Sequence, residues 1–316
     1  MRYFVQHVTR FRYSSAVHES LTEVRMAPRT EAQQRCYQFR LQCKPSVQVM
    51  RYDDHYGNVV YHFDVPTPHT SLEIVAASAI EIEPLPDLPA RLPAQAWGQL
   101  DELGQDGEFW YWLHPSCFAV PTKALEGLAV RLKLAERKAD PLTTVRRICD
   151  GIHRHFAYNP EATEVDSPID TAIKLRSGVC QDFAHIAIAM LRRLGIPARY
   201  VSGYLFHNGS DRNTAANASH AWVEVYLPPL GWVGIDPTND IIAGEKHIRV
   251  AVGRDYADVS PTRGVYKGDA ESELAVAVSV SATRGQSNSD LALHVIRRNG
   301  QSANKTEPQE VYQQQQ

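Results

Sequence analysis

SGVCQDFAHIAIAMLRRLGIPARYVSGY, residues 177–204, is the stretch whose reading decides the fold. After Ser177-Gly178, the apolar positions Val179, Phe183, Ile186, Ala187, Met190, Leu191 and Leu194 follow at spacings of 4, 3, 1, 3, 1 and 3. Such spacing traces one stripe along a helix. Arg192 and Arg193 fall in its last turn, Gly195 is the expected stop and Pro197 bars continuation. The next residues, Arg199 to Leu205, alternate and are rich in β-branched and aromatic side chains, which predicts a strand. Cys180 therefore opens a buried helix, where unpaired amides and the helix dipole favour a thiolate. An isolated cysteine is more often a small, inert core residue, so a reactive role for Cys180 depends on what lies downstream.

The 316-residue chain is long enough for one large or two ordinary domains with real cores. Its 33 basic and 36 acidic residues give a net charge of −3 without a long basic block, so neither nucleic acid nor an anionic membrane is expected as a partner. No apolar run approaches the roughly 20 residues that span a bilayer, and the N-terminal MRYFVQHVTRFRYSS carries no apolar signal core. The five cysteines at 36, 43, 117, 149 and 180 are scattered and never spaced as CxxC. That pattern argues against a disulfide framework or a structural zinc site and favours a reducing compartment. The expected location is cytoplasmic.

Residues 1–85 read as β-rich: the N-terminal run from Tyr3 to Val8, 37–43, 59–65 and 72–82 are strand-like, and Gly57-Asn58 supplies a turn. A small antiparallel domain of sandwich type is predicted. Its histidines (7, 18, 55, 62 and 69) have no ligand spacing and are taken as structural or solvated. The proline-dense segment 83–93 marks a boundary, with 86–93 as the linker. From 94 to 282 the pattern becomes a mixed α+β core. Helices are predicted at 125–134, at 142–156 behind an Asp140-Pro141 cap, and from Ser167 through Leu175. The aromatic run 109–115 is read first as packing between the domains and second as a groove wall. The polar segment 206–217 is a lid hypothesis, and the polar residues 283–316 are expected to be a disordered tail.

Two strands follow the lid segment, 218–227 and 231–239. In the first, Ala221, Val223, Val225 and Leu227 form the apolar face, leaving His220, Trp222, Glu224 and Tyr226 on the other. In the second, Val233 and Ile235 are apolar, with Trp232, Gly234 and Asp236 opposite. A hairpin pairing Tyr226 with Trp232 puts Trp222 opposite Asp236 and His220 on the adjacent diagonal, about 7–8 Å away and within side-chain reach. A cysteine at a helix start, a histidine on one strand and an aspartate on the next is the logic of a nucleophile, its base and the acid that orients the base. The amide of Cys180 is the candidate oxyanion donor.

The blocks 178–185, 192–204, 219–227 and 231–239 resemble the bacterial transglutaminase-like superfamily, as do 250–261 and the β-rich N-terminal domain. The resemblance covers most of residues 1–282 and implies a papain-like core, with the cysteine helix packed on an antiparallel sheet that carries His and Asp. It also implies that Cys180, His220 and Asp236 are the catalytic triad, with none of the three replaced.

The chemistry common to this family is acyl transfer on peptide or side-chain amides through a cysteine acyl-enzyme, acting on a protein or peptide substrate. Hydrolysis by a cysteine peptidase or amidase is favoured, because water is always present whereas cross-linking glutamine to amines needs a dry, amine-binding tunnel. Glutamine gamma-glutamyl transfer is the alternative. A non-catalytic peptide- or protein-binding scaffold with an inert Cys180 is the reading from another class.

No metal and no other cofactor is expected. Cys180, Asp182 and His185 have ligand-type side chains, but positions 180 and 185 diverge on a helix, and no calcium-type carboxylate loop is present. Asp182 is expected to complement the helix N-terminus. Arg254 and Asp255 are read first as an ion pair holding a loop and second as a groove wall, and Asn239, able to cap a loop or polarise substrate, is left unassigned.

Overall fold

The computed structural model describes residues 1–31, 33–105, 107–207, 219–282, 294–297 and 309–312. The lid expected at 206–217 lies outside the described residues from 208 onward.

The N-terminal strands are β1 (Arg2–Val24), β2 (Gln34–Lys44), β3 (Met50–Asp53), β4 (Val59–Val65) and β5 (His69–Ile82). The helical region holds α1 (Ala96–Leu103), α2 (Trp110–Leu113), α3 (Lys123–Arg131), α4 (Pro141–His155), the short strand β6 (Ala157–Tyr158) and α5 (Ile169–Leu175). Then come β7 (Ser177–Gly178), α6 (Cys180–Arg193), β8 (Ala198–Leu205), β9 (His220–Leu227), β10 (Gly231–Asp236), β11 (Ile241–Ile242) and β12 (His247–Gly253). The chain closes with α7 (Tyr256–Val259), β13 (Thr262–Lys267), β14 (Ser272–Ala282), β15 (His294–Arg297) and β16 (Gln309–Tyr312).

The long strand β1 is shared between two sheets. Its first half, Arg2 to Arg12, runs antiparallel between β5 and β14, and its second half, from Ser20 to Val24, runs between β4 and β13. The register breaks between Arg12 and Val17 let one strand turn from one sheet into the other. This is the expected antiparallel sandwich, with one correction. Strands β13 and β14, which the sequence boundary assigned to the core, pair with β1 and complete the N-terminal sandwich. Local alternation predicts that a segment is a strand but not which distant edge it joins. Removing residues 1–85 would accordingly strip both C-terminal strands of their partner. A second correction concerns the tail: His294–Arg297 and Gln309–Tyr312 are strands that extend the sandwich on β14 and β13.

The core sheet has the order β11-β10-β9-β8-β12. One face carries Ala198, Tyr200, Ala221, Val223 and Val225, all buried, and helix α6 packs on that side. The stop of α6 is the predicted one. Gly195 takes φ +76°, the Gly195 amide donates to the Arg192 carbonyl (2.9 Å) and the Ile196 amide to the Leu191 carbonyl (3.1 Å). These paired bonds satisfy the last turn, and glycine enters this left-handed conformation without a steric cost.

Helix α4 begins where Asp140 accepts from the Thr143 amide at 3.1 Å, with Pro141 in the first turn. The same carboxylate accepts from the Leu92 amide (3.2 Å), and Arg146 donates to the Ala90 carbonyl (2.7 Å). The proline-rich connection is thus strapped along α4. Asp140→Ala is expected to cost about 1–2 kcal/mol, the loss of a cap and of the strap's anchor. It would be read as a lower denaturant midpoint at unchanged slope.

The sandwich meets the core sheet along its edge strand β12. The Gln34 amide accepts from the Arg249 amide (2.8 Å) and donates to the Arg249 carbonyl (2.8 Å), while Asn58 does the same with Val252 (2.8 Å each). Two side-chain amides thereby substitute for a missing neighbour strand along the edge strand β12. Between them lies a buried charge network, in which Glu224 bonds to Arg199 (2.6 Å) and Arg249 (3.1 Å). The aromatic run 109–115 sits in this seam as expected. Trp112 contacts Tyr56 (5.4 Å) from the sandwich and Trp232 (5.7 Å) from the core, and Phe109 contacts Tyr226 (4.6 Å). The buried Arg192 guanidinium donates to the carbonyls of His114 (3.0 Å), Ala198 (3.0 Å) and Arg254 (2.7 Å), which ties the run to the end of α6.

Candidate active site

Strands β9 and β10 pair as the sequence register requires, Tyr226 with Trp232 and Val223 with Ile235. The even residues therefore share a face, and Asp236 reaches His220, whose Nε2 donates to Asp236 Oδ2 at 2.8 Å. The Cys180 thiol, at the start of α6, hydrogen-bonds to the same imidazole. Cys180, His220 and Asp236, named by the sequence, are thus brought together. They lie under the surface, with 0 %, 7 % and 0 % of their area exposed.

Burial alone would depress the basicity of His220. The Asp236 charge and hydrogen bond, followed by the hydrogen bond to Cys180, outweigh it and push the imidazole up to about 10. Asp236 is held well below the usual carboxylate range: burial opposes its ionisation, but His220 and then His247 overcome the penalty.

Asp236 gathers five hydrogen bonds. Oδ2 accepts from His220, from His247 Nε2 (3.2 Å) and from Asn239 Nδ2 (2.7 Å). Oδ1 accepts from the amides of Thr238 (3.0 Å) and Asn239 (3.2 Å). Trp222 closes the back of the site, its ring 6.0 Å from His220 at 26° and 5.1 Å from His247 at 72°. On the thiol side stand Tyr158 and Tyr200. Their phenols are held above the ordinary value first by burial and next by the neighbouring Cys180.

The first turn of α6 is shaped by Asp182, which accepts from the Val179 amide (2.9 Å) and from Thr163 Oγ1 (2.6 Å). Its carboxyl is pushed up by burial. It fastens the turn that presents Cys180 and ties it to the loop before α5. His185 does not converge on Cys180: its Nε2 accepts from the Tyr256 amide (3.2 Å), its ring stacks on Phe118 (5.3 Å), and burial pushes it down to about 4. It is a neutral core group.

Arg254 and Asp255 are not an ion pair with each other. Arg254 bonds Asp258 (2.9 Å), while Asp255 accepts from the amides of Ala257 (3.0 Å) and Phe118 (2.8 Å). The left-out signal was Asp258 at i+4, a spacing favoured on a helical turn.

Sequence reasoning missed His247 and left Asn239 unassigned. Asn239 sits three residues after Asp236, where a short polar side chain can bond back to the turn; that spacing was the available signal. His247 reaches the site because residues 243–247 cross the end of the sheet. The Ala243 amide donates to the Gly234 carbonyl (2.9 Å), and a Cβ on Gly234 would lie 2.6 Å from that of Ala243.

Among the described residues, His220, Asp236 and His247 have ligand-type atoms within 4.8 Å of one another. The same three side chains share the hydrogen bonds on Asp236 Oδ2.

Family models match two parts of the chain: the transglutaminase-like superfamily core over residues 129–237 and the bacterial transglutaminase-like N-terminal region over 3–81. The chain belongs to the transglutaminase-like superfamily. It is 37 % identical over 300 residues to an uncharacterized protein of Mycobacterium tuberculosis, covering 90 % of this chain and 94 % of that one. With an uncharacterized protein of Mycobacterium leprae the identity is 34 % over 280 residues, covering 88 % and 97 %. A Pseudomonas aeruginosa protein named protein-glutamine gamma-glutamyltransferase is 36 % identical over 119 residues, which is 34 % of this chain and 17 % of that one. The crystal structure of a candidate cysteine protease from Cytophaga hutchinsonii shares the fold with a TM-score of 0.67 at 18 % identity, covering 99 % of this chain and 98 % of that one.

Proposed function

We propose that the chain is a thiol enzyme that transfers acyl groups from peptide or side-chain amides, with hydrolysis as its main outcome. The observation that carries this reading is His220 held between the Cys180 thiol and the Asp236 carboxylate. Cys180 gives its proton to His220 and the thiolate adds to the amide carbonyl. The amide of Cys180, in the first turn of α6 where N–H groups lack intrahelical acceptors, is placed to bind the oxyanion. His220 returns the proton to the departing amine as the C–N bond breaks, leaving a thioester. It then takes a proton from water, whose oxygen replaces sulfur on the acyl carbon. Asp236 holds the imidazole in the required tautomer throughout.

A second acceptor, a lysine amine, would make the same thioester into a cross-link. The named glutamyltransferase matched over 119 residues favours keeping this reading open. Incubation with casein separates the two: new amino termini or glutamine converted to glutamate mark hydrolysis, and incorporation of a fluorescent primary amine at glutamine marks transfer.

The chemistry is tested first without a substrate, by the pH dependence of iodoacetamide alkylation at Cys180, located by peptide mass mapping. Wild-type Cys180 is expected to be alkylated rapidly at neutral pH, and His220→Ala to slow it and move the rise of the profile to higher pH. A thiol that ignores His220 would instead support a binding scaffold. A cytoplasmic setting is part of the proposal, resting on five unpaired cysteines; recovery from a membrane or secreted fraction of the host would overturn it. No helix of the described residues is long and apolar enough to cross a membrane.

A further inference from the structure

The candidate acid Asp236 lies between two imidazoles, and only one of them belongs to the triad. His247 Nδ1 accepts from the Gly244 amide at 3.2 Å, so that nitrogen carries no proton and Nε2 must carry it. Nε2 in turn donates to Asp236 Oδ2 at 3.2 Å. His247 is buried, and its basicity is lowered first by that burial. The charged and titratable groups that act on it are Asp236 on β10, His220 on β9 and the adjacent Lys246. Asp236 favours a proton on it, whereas His220 and Lys246 oppose one. The Trp222 ring meets it nearly edge to face.

A donor that is neutral suits this place for a physical reason. An isolated carboxylate in a dry interior either takes up a proton or turns to find donors. Two backbone amides pin Oδ1, and Oδ2 must then point one lone pair at His220. A lysine or arginine beside Oδ2 would hold the carboxylate too, but its charge would repel the His220 imidazolium on which the thiolate depends. A neutral N–H steadies the anion without that repulsion.

We propose that His247 is a positioning residue for the Cys180–His220 pair: it donates to the same Asp236 oxygen that accepts from His220, fixing the plane and the ionised state of the carboxylate. The inference rests on the reading given under Proposed function. His247 begins β12, the strand whose edge Gln34 and Asn58 of the sandwich hold. Its placement is therefore inherited from the seam between the two halves of the fold.

The test is the same Cys180 alkylation profile, recorded for wild type, His247→Phe and His247→Gln. The groups that shape this profile are His220, Asp236, Tyr158 and Tyr200, all retained. His247→Phe, which removes the donor, is expected to slow alkylation at neutral pH about ten- to a hundred-fold, the loss of one hydrogen bond to a charged group. It is also expected to move the acid limb to higher pH. His247→Gln, which restores an N–H, is expected to recover most of both. In an Asp236→Ala background, His247→Phe should add nothing, because its effect runs through that carboxylate.

Because the Phe variant tests folding as well, the wild-type protein supplies a second measurement. The 15N shifts of His247 should report the neutral Nε2–H tautomer at neutral pH, with protonation only below the free histidine value. A His247→Phe profile matching wild type, an additive effect without Asp236, or a His247 that titrates near the free value overturns the inference. If wild-type Cys180 does not respond to His220→Ala, the functional reading itself fails and this inference goes with it. If that response is present and His247→Phe leaves it intact, only the role of His247 falls.

Discussion

Asp236→Asn is expected to lower acyl-transfer turnover by about ten-thousand-fold, the scale set by loss of the orienting acid in a triad. The geometry leaves an amide no good fit. Both carboxylate oxygens act purely as acceptors, Oδ1 for two backbone amides and Oδ2 for His220, His247 and Asn239. An amide must turn its NH2 toward one of these sets, where it meets donors. If it faces His220, the imidazole can stay bonded only by accepting at Nε2, which puts its proton on the nitrogen that should receive the thiol's.

The pH dependence follows with a definite sign. His220 is pushed up to about 10 against the pull of burial, chiefly by Asp236. Without that charge, burial dominates and the imidazole falls below its ordinary value, so the imidazolium that stabilises the thiolate is lost and the rise of Cys180 alkylation moves to higher pH. The stability consequence has two edges. A raised histidine contributes stability that is complete below its unfolded value of about 6.5 and fades as pH rises through the folded value. A depressed aspartate contributes stability that is present above its unfolded value of about 3.9 and fades in acid. Wild type should therefore gain most from this one coupled pair between those limits, and Asp236→Asn should lack the gain throughout. An Asn variant with a wild-type alkylation profile would sink the ion-pair account.

What was legible in the sequence was local. The stripe from Val179 to Leu194 and the Gly195 stop depend on a 3.6-residue repeat and one glycine, and both are where they were expected. The meeting of His220 with Asp236 was legible because a short turn fixes the hairpin register, and a period of two then fixes the faces. The residues that complete the site were not legible for the opposite reason. His247 reaches Asp236 only because the chain from Ala243 crosses the sheet end over Gly234, a path that no periodicity encodes. Glu224 was placed on the polar face of β9, which is correct, yet that face is buried, and Arg199 and Arg249 pair with the carboxylate. The pairing of β13 and β14 with β1 spans nearly the whole chain, and only the three-dimensional edge decides it.

Gly203→Ala is expected to be the most damaging single-methyl change in the core, and it would damage the site from behind. Gly203 pairs with His220 on β8–β9 and with Arg249 on β12. A Cβ there would stand 2.1 Å from the Ile248 carbonyl oxygen and 2.6 Å from the ring of Trp222. Neither neighbour is the free end of a flexible chain. The carbonyl belongs to the backbone of β12, and Trp222 is fully buried, held among Val201, Ala243 and Val252. Overpacking of this kind costs about 1–3 kcal/mol where side chains can yield, and more where backbone must move. The upper end or beyond is expected here, read as a fall in the denaturant midpoint. Relief can come only by displacing β12 or tilting Trp222. The first pulls His247 from Asp236, and the second removes the ring stacked on His220. Molecules that still fold should therefore lose Cys180 reactivity in the direction of His247→Phe. A Gly203→Ala protein with wild-type midpoint and alkylation rate would show that the sheet has slack at this point, and that Trp222 is not held as tightly as its surroundings require.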